Sequence, residues 1–204
     1  MNIEKLAAID IGSNAIRLLI VNVVIKKGFP IKFIKSSIVR VPIRLGQESF
    51  TVGEISSKNI RKIVKIIKAF KHIISVNEVR SSLAFATSAL REANNSKEVI
   101  QEVKKRTKFK IEIIDGRKEA KIISLNNIFE FINKNRTFIY VDVGGGSTEF
   151  SVIVNGKRIK SKSFKIGTVR MINKMVSESV WEQIRIWIKK NVHHHSKVAL
   201  IGSG

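Results

Sequence analysis

The sequence predicts an α/β protein of two lobes that share one strand-turn-strand plan. Residues 140–151 run from an apolar segment into three glycines, two hydroxyl residues and a carboxylate. Residues 7–20 repeat this plan, with an Asp, one apolar residue, a Gly and a short polar turn between two apolar segments. When Asp10 is aligned with Asp142, Gly12 falls on Gly144, both at an offset of 132 residues. This coincidence indicates an internal duplication.

Composition limits the class of protein. A chain of 204 residues with 44% hydrophobic content can bury a core. The absence of cysteine excludes disulfides, thiolate metal sites and cysteine nucleophiles. The sequence has neither a signal-peptide pattern nor an uncharged apolar run of about 18 residues. We therefore expect a cytoplasmic protein with no membrane partner.

The net charge of +22 is compatible with nucleic acid, an anionic membrane surface or a polyanionic substrate. Two origins remain open for this charge: drift in a coding sequence rich in AT, or selection for an anionic ligand. A nucleic-acid partner is not expected, because the chain has no recognisable nucleic-acid motif and only one Tyr and two Trp for base stacking.

The first lobe, residues 1–136, is predicted from apolar periodicity and turn residues. A strand is expected wherever an apolar run is bounded by turn signals, and residues 42–55 are expected to form a loop. Ser56 or Ser57 should cap a helix through Val76, because apolar residues recur there at helical spacing. The predicted strands are 4–11, 15–26, 31–41, 79–86 and 110–114, and the further helices are a short one after Thr87, 96–107 and 117–133.

The second lobe, residues 137–204, should repeat the first three strands, at 138–143, 149–154 and 158–166. Asn155-Gly156 is a strong hairpin signal between two of them. Residues 177–191 are predicted to form an amphipathic helix, followed by a strand from Val198 into another glycine turn. A second unit as long as the first would need a further helix, strand and helix, so the second lobe is expected to be incomplete. In the helix over 177–191, the side chains expected to be buried are Val180, Trp181, Ile184 and Ile188.

The glycine stretch at 144–146 is a candidate phosphate loop. Glycines let the backbone approach an anion with its N–H groups, and the hydroxyls of Ser147 and Thr148 add donors. Asp142 and Glu149 could hold a divalent cation or its waters. A glycine triplet also serves in tight turns without a ligand, so this alternative remains open. Two such loops facing each other across a cleft would bind one polyanion from both sides.

Three other features have competing interpretations. Arg91 lies one turn into a short helix and could meet an anion there, or it could pair with a surface carboxylate. Glu119 lies in the first turn of a helix, where the dipole favours an acid, and it is a general base only if it faces the cleft. His193, His194 and His195 indicate a loop rather than a metal site, because adjacent side chains diverge.

Five segments resemble, in order and spacing, the exopolyphosphatase and guanosine pentaphosphate phosphohydrolase family. That family belongs to the superfamily of actin, hexokinase and the heat-shock-seventy ATPases. The resemblance therefore implies an α/β, two-lobed ribonuclease-H-like (actin-like ATPase) fold with a phosphate loop in each lobe. The matching segments are 7–20, 87–95, 113–120, 141–149 and 166–171.

The resemblance also implies residue roles. The family's catalytic glutamate falls on Glu119, and the preceding position, often a second acid in the family, is Lys118, which should lower the pKa of Glu119. Acids associated with metal fall on Asp142 and Glu149, with Asp10 as the duplicated counterpart of Asp142. The phosphate-binding positions are Gly12, Ser13, Asn14, Arg17, Arg91, Gly144, Gly145, Gly146, Ser147 and Thr148.

The activity that the resemblance implies is Mg²⁺-dependent hydrolysis of a terminal phosphoanhydride bond in inorganic polyphosphate or guanosine pentaphosphate. One alternative is a protein that binds polyphosphate or a guanosine alarmone without turnover. Another is a sugar-kinase-like phosphotransferase, which needs an adenosine site that the sequence does not complete. The sequence leaves open whether the protein forms a homodimer.

Overall fold

The computed structural model describes residues 1–124, 136–192 and 197–204. The chain forms two compact units, Met1–Ile114 and Asp115–Gly204. The division falls before the predicted lobe boundary at residues 136 and 137 because helix α5 (Gly116–Ser124) packs against strand β8 (Lys157–Phe164). The lobe boundary itself depends on residues 125–135, outside the described ranges, and stays a prediction.

The first unit contains a mixed sheet of five strands in the order β3-β2-β1-β4-β5. The first three strands pair antiparallel, and β4 and β5 add to the edge of β1 in parallel. All five predicted strands are confirmed, with shifts of a few residues at their ends. Their bounds are β1 Asn2–Ile11, β2 Ala15–Ile25, β3 Lys32–Pro42, β4 Ser81–Ala86 and β5 Glu112–Ile113.

Four helices accompany this sheet in the described part of the unit: α1 Leu45–Thr51, α2 Ser57–Val76, α3 Ser88–Glu92 and α4 Ser96–Thr107. The predicted cap of α2 is confirmed, since the Ser56 side chain accepts a hydrogen bond from the Asn59 N–H. The prediction of a loop over 42–55 was wrong, because α1 lies within it. A helix of seven residues is too short to show a period, and it is held by burial of Leu45 and Phe50.

The second unit contains a sheet in the order β8-β7-β6-β9, with β6 and β9 parallel and the other pairs antiparallel. The remaining elements are β6 Thr137–Val143, β7 Thr148–Val154, α6 Thr168–Ile172, α7 Glu178–Val192 and β9 Val198–Ser203. Helix α6 was not predicted. The end of the helix predicted over 117–133, and the histidines at 193–195, lie outside the described residues.

The two sheets confirm the duplication. Asp10 pairs with Arg17 across β1 and β2, and Asp142 pairs with Glu149 across β6 and β7, at the same offset. Each turn is closed by an equivalent hydrogen bond, from Gly12 N to Ala15 O at 3.0 Å and from Gly144 N to Ser147 O at 2.9 Å. The second sheet therefore repeats the order of the first four strands of the first sheet.

The core of the second unit corrects one assignment on α7. Ile184 is buried as predicted, and Val180 and Ile188 pack against the same cluster. Trp181 is 38% exposed, and Trp187 instead makes edge-to-face contacts with Phe150 and Phe164. Within the described residues, no helix is long and apolar enough to cross a membrane; the cytoplasmic location stays a prediction.

Candidate active site

Residues 144–147, here called the second glycine loop, join β6 to β7. The amide N–H groups of Gly145, Gly146 and Ser147 donate no hydrogen bond to any described residue. Successive N–H groups without acceptors form an anion-binding concavity, because each carries a partial positive charge. The loop thus has the donors that a phosphate group requires.

Glu149 lies on β7, five residues after Gly144 and next to the second glycine loop, and it is 7% exposed. Neither of its carboxylate oxygens has a hydrogen-bond partner of regular geometry among the described residues. Burial raises the pKa of Glu149 to about 7, against the lowering effect of the Ser163 hydroxyl; the Glu119 carboxylate raises it further. Arg158 opposes this rise and Asp142 adds to it. A buried acid with two unsatisfied oxygens and two acidic neighbours is a site where a cation would be stabilised.

Glu119 is brought to this site by α5. Asp115 caps the N-terminus of the helix, since its Oδ1 accepts from the Lys118 N–H at 2.7 Å and its main-chain oxygen accepts from the Glu119 N–H. A Cβ placed on Gly116 would lie 3.5 Å from Ser163 Cβ and 3.9 Å from Glu149 Oε1. The first turn of α5 therefore lies directly beside Glu149.

Asp142 is held by a neighbour that the sequence did not single out. Ser203 on β9 donates to Asp142 Oδ1 at 2.7 Å, and Tyr140 shares a hydrogen bond of 2.7 Å with the same Ser203 hydroxyl. Ser203 lies opposite Asp142 in the parallel pairing of β6 and β9. The only sequence signal was the hydroxyl in the closing Gly-Ser-Gly, and its strand partner could not be read from the sequence.

The acids Asp142, Glu149 and Glu119 suit a divalent cation, because the two carboxylate oxygens of Glu149 are buried without a regular hydrogen bond among the described residues. No three His, Cys, Asp or Glu side chains in the described ranges are grouped closely enough to bind a metal directly. An ion here would take one or two carboxylates and complete its shell with water and phosphate oxygens, as Mg²⁺ commonly does. Asp142 and Glu149 would hold it, and Mg²⁺ stays a prediction.

Thr148 has a structural hydrogen bond. Its hydroxyl donates to Ile166 O at 2.6 Å, and the residue is 4% exposed. This donor joins β7 to the segment after β8 and is not directed to a ligand. The main-chain donors of the loop that have no acceptor among the described residues are the amides of residues 145–147.

The first glycine loop, residues 12–14, lies in the first unit with Asp10, Arg17 and Arg91. Ser13 is buried and shares a hydrogen bond of 2.8 Å with Ser88, and Asn14 O accepts from two main-chain amides. Burial raises the pKa of Asp10, against the effect of Arg17, whose Nη1 lies 3.9 Å from Asp10 Oδ2. Arg91 Nη1 donates to Ile114 O at 2.9 Å. The phosphate-binding roles of these residues, and a shared cleft, stay predictions.

Comparison with known proteins identifies the family. The family model described as "Ppx/GppA phosphatase family" matches residues 22–202. The chain belongs to the Ppx/GppA phosphatase family. It is 36% identical over 200 residues to the bifunctional 3-dehydroquinate synthase/phosphatase of Fusobacterium nucleatum, covering 91% of this chain and 30% of that protein. It is 30% identical over 167 residues to exopolyphosphatase 1 of Mycobacterium leprae, covering 82% and 48%.

Solved structures of the Ppx/GppA family have the same fold. The Aquifex aeolicus family member is 25% identical with a TM-score of 0.73, and it is matched over 100% of this chain and 67% of its own. An exopolyphosphatase from Cytophaga hutchinsonii is 24% identical with a TM-score of 0.83, over 98% and 67%. The predicted α/β actin-like ATPase fold class is confirmed. The chain spans less than half the length of the two curated relatives.

Proposed function

We propose that this protein is a phosphohydrolase that releases terminal orthophosphate from inorganic polyphosphate or guanosine pentaphosphate. The observation that carries the proposal is that Glu119 lies close enough to Glu149 to raise its pKa, and that Glu149 directly follows the second glycine loop, whose amides at residues 145–147 have no acceptor among the described residues. Anion donors and acids side by side suit a reaction in which water attacks a phosphoryl group. Family membership supports the phosphatase class, and the names of several relatives support polyphosphate as the substrate.

In this mechanism, the amides of Gly145, Gly146 and Ser147 bind the terminal phosphoryl oxygens and stabilise the charge that develops on them. Glu119, at the start of α5, orients the attacking water and accepts its proton as the new P–O bond forms. The bridging P–O bond breaks at the same centre, and the shortened phosphate chain leaves with the bridging oxygen. Ser203 keeps the Asp142 carboxylate in one orientation through their 2.7 Å hydrogen bond. When bound, Mg²⁺ would offset the charge on the phosphate oxygens near Asp142 and Glu149.

The test is replacement of Glu119 by Gln, which removes the base and keeps the shape of the side chain. We expect Mg²⁺-dependent phosphate release from polyphosphate to fall by about 100-fold or more. Tripolyphosphate binding, measured by calorimetry, should persist because the loop amides are untouched. Glu182→Gln on the exposed face of α7 is the control, and it should retain wild-type release.

Full release by Glu119→Gln would show that Glu119 is not the base. Tight, salt-sensitive binding by the wild type with no release under any Mg²⁺ concentration would instead favour the non-catalytic binding protein. Parallel assays on guanosine pentaphosphate and polyphosphate of defined length would distinguish the two substrates.

A further inference from the structure

The orientation of the second glycine loop is imposed by the segment that follows β8. Three successive loop carbonyls accept hydrogen bonds from three successive residues of this segment. Gly144 O accepts from Thr168 N at 3.0 Å and Gly145 O from Val169 N at 2.9 Å. Gly146 O accepts from the Arg170 side chain, through Nε, at 2.7 Å.

These bonds determine where the loop amides point. In a planar trans peptide, the carbonyl of one residue and the N–H of the next point in opposite directions. The three bonded carbonyls belong to the peptides that supply the N–H groups of Gly145, Gly146 and Ser147. Holding the carbonyls against the segment 167–170 therefore directs all three amides to the opposite side of the loop.

The second glycine loop lies so close to Gly167 that no side chain fits at this position. A Cβ on this residue would lie 2.5 Å from Gly145 O and 2.7 Å from Gly146 N. No real Cβ tolerates these distances, so any larger residue would push the loop away. Arg170 is 6% exposed, and its guanidinium is buried where it holds Gly146 O.

We propose that Arg170 is a positioning residue for phosphate binding, acting through the Gly146–Ser147 peptide rather than by contact with the substrate. This inference rests on the proposed function of the second glycine loop. Thr168 and Val169 bind the loop carbonyls through their main-chain amides. Of the three donors, Arg170 alone uses its side chain, so a substitution can remove its contact. Loss of the Arg170 side chain frees the Gly146–Ser147 peptide to rotate. The Ser147 N–H then no longer points to the same side as the amides of Gly145 and Gly146.

The experiment compares Arg170→Met, which removes the donor, with Arg170→Lys, which keeps a charge and a donor. Arg185 has an exposed side chain on α7, so Arg185→Met removes the same charge elsewhere in the second unit and is the matched control. Binding of orthophosphate is followed by the amide ¹⁵N–¹H signals of residues 145–147. Binding of tripolyphosphate is measured by calorimetry in a Glu119→Gln background.

We expect Arg170→Met to weaken tripolyphosphate binding by about tenfold and to abolish the phosphate-induced shift of the Ser147 amide. Arg170→Lys should recover much of the affinity, and Arg185→Met should match the parent. Gly167→Ala, which displaces the loop without changing Arg170, should reproduce the loss and serves as the test if Arg170→Met does not fold.

The inference is overturned if folded Arg170→Met binds tripolyphosphate as tightly as Arg185→Met and its Ser147 amide still responds to phosphate. The same holds for Gly167→Ala where it is the variant tested. If the wild-type amides of residues 145–147 do not respond to orthophosphate, the anion-binding role of the loop fails, and the inference fails with it. Turnover is tested by Glu119→Gln, and binding is tested by the Arg170 variants. Failure of the proposed catalytic function and failure of this inference therefore give different results.

Discussion

Burial of the Glu149 carboxylate makes the stability of the fold depend on pH. Its pKa rises from an ordinary value of 4.5 to about 7 through burial, with further contributions from neighbouring acids. Between these pH values the folded protein keeps a proton that the unfolded chain has lost. Stability therefore falls as pH rises through this window, and the loss is complete above about pH 7.

Glu149→Gln should remove this cost. We expect the variant to be more stable than the wild type by about 2 kcal/mol at pH 8, because a buried, unpartnered carboxylate is replaced by a neutral group. At pH 4 most of the difference should be lost, since the wild-type carboxyl is then mostly protonated in both states. Urea unfolding at the two pH values measures this, with Glu182→Gln as an exposed control. An equal effect at both pH values would contradict a titration of Glu149.

At the scale of elements, the duplicated turns provide a matched pair of glycines. A Cβ on Gly144 would lie 2.9 Å from Ser147 O, whereas a Cβ on Gly12 would lie 3.3 Å from the equivalent Ala15 O. We therefore predict that Gly144→Ala lowers the melting temperature more than Gly12→Ala. Thermal unfolding of both variants tests this, and a melting temperature lowered as much or more by Gly12→Ala would contradict the prediction.

The elements that sequence predicted are those with a clear period or a clear stop. The alternating apolar strands and α2, with its Ser56 cap, are examples. The short helices α1 and α6 were missed because five to seven residues carry no measurable period, and contacts distant in sequence determine their formation. The segment 166–171 was recognised only as a motif, because the hydrogen bond of Arg170 to Gly146 O joins residues 24 positions apart.

The candidate site divides in the same way. The glycine loop, Asp142, Glu149 and Glu119 could be named from local patterns and from resemblance. The burial of Glu149 and the bond between Ser203 and Asp142 depend on strand order and register, which a single sequence does not specify. The structural hydrogen bond of Thr148 was hidden for the same reason.

At the scale of the whole molecule, the charge of +22 still has two explanations. Exposed cations occur on helices of both units as well as on β8, which suits compositional drift. They would nonetheless attract a polyanion at low salt, because the summed field extends over about 10 Å at 0.1 M salt. In the proposed mechanism, by contrast, the uncharged amides of the second glycine loop bind only the terminal group of the chain.

Salt dependence shows whether these cations act on a long substrate. If they contact the chain, whatever their origin, raising salt from about 50 to 300 mM should raise KM several-fold more for long polyphosphate than for tripolyphosphate. We expect this outcome, with kcat unchanged, because the terminal group reacts in the same setting whatever the chain length. Steady-state phosphate release on the two substrates measures it, at constant free Mg²⁺. Equal shifts in KM would show that the distant cations do not contact the chain.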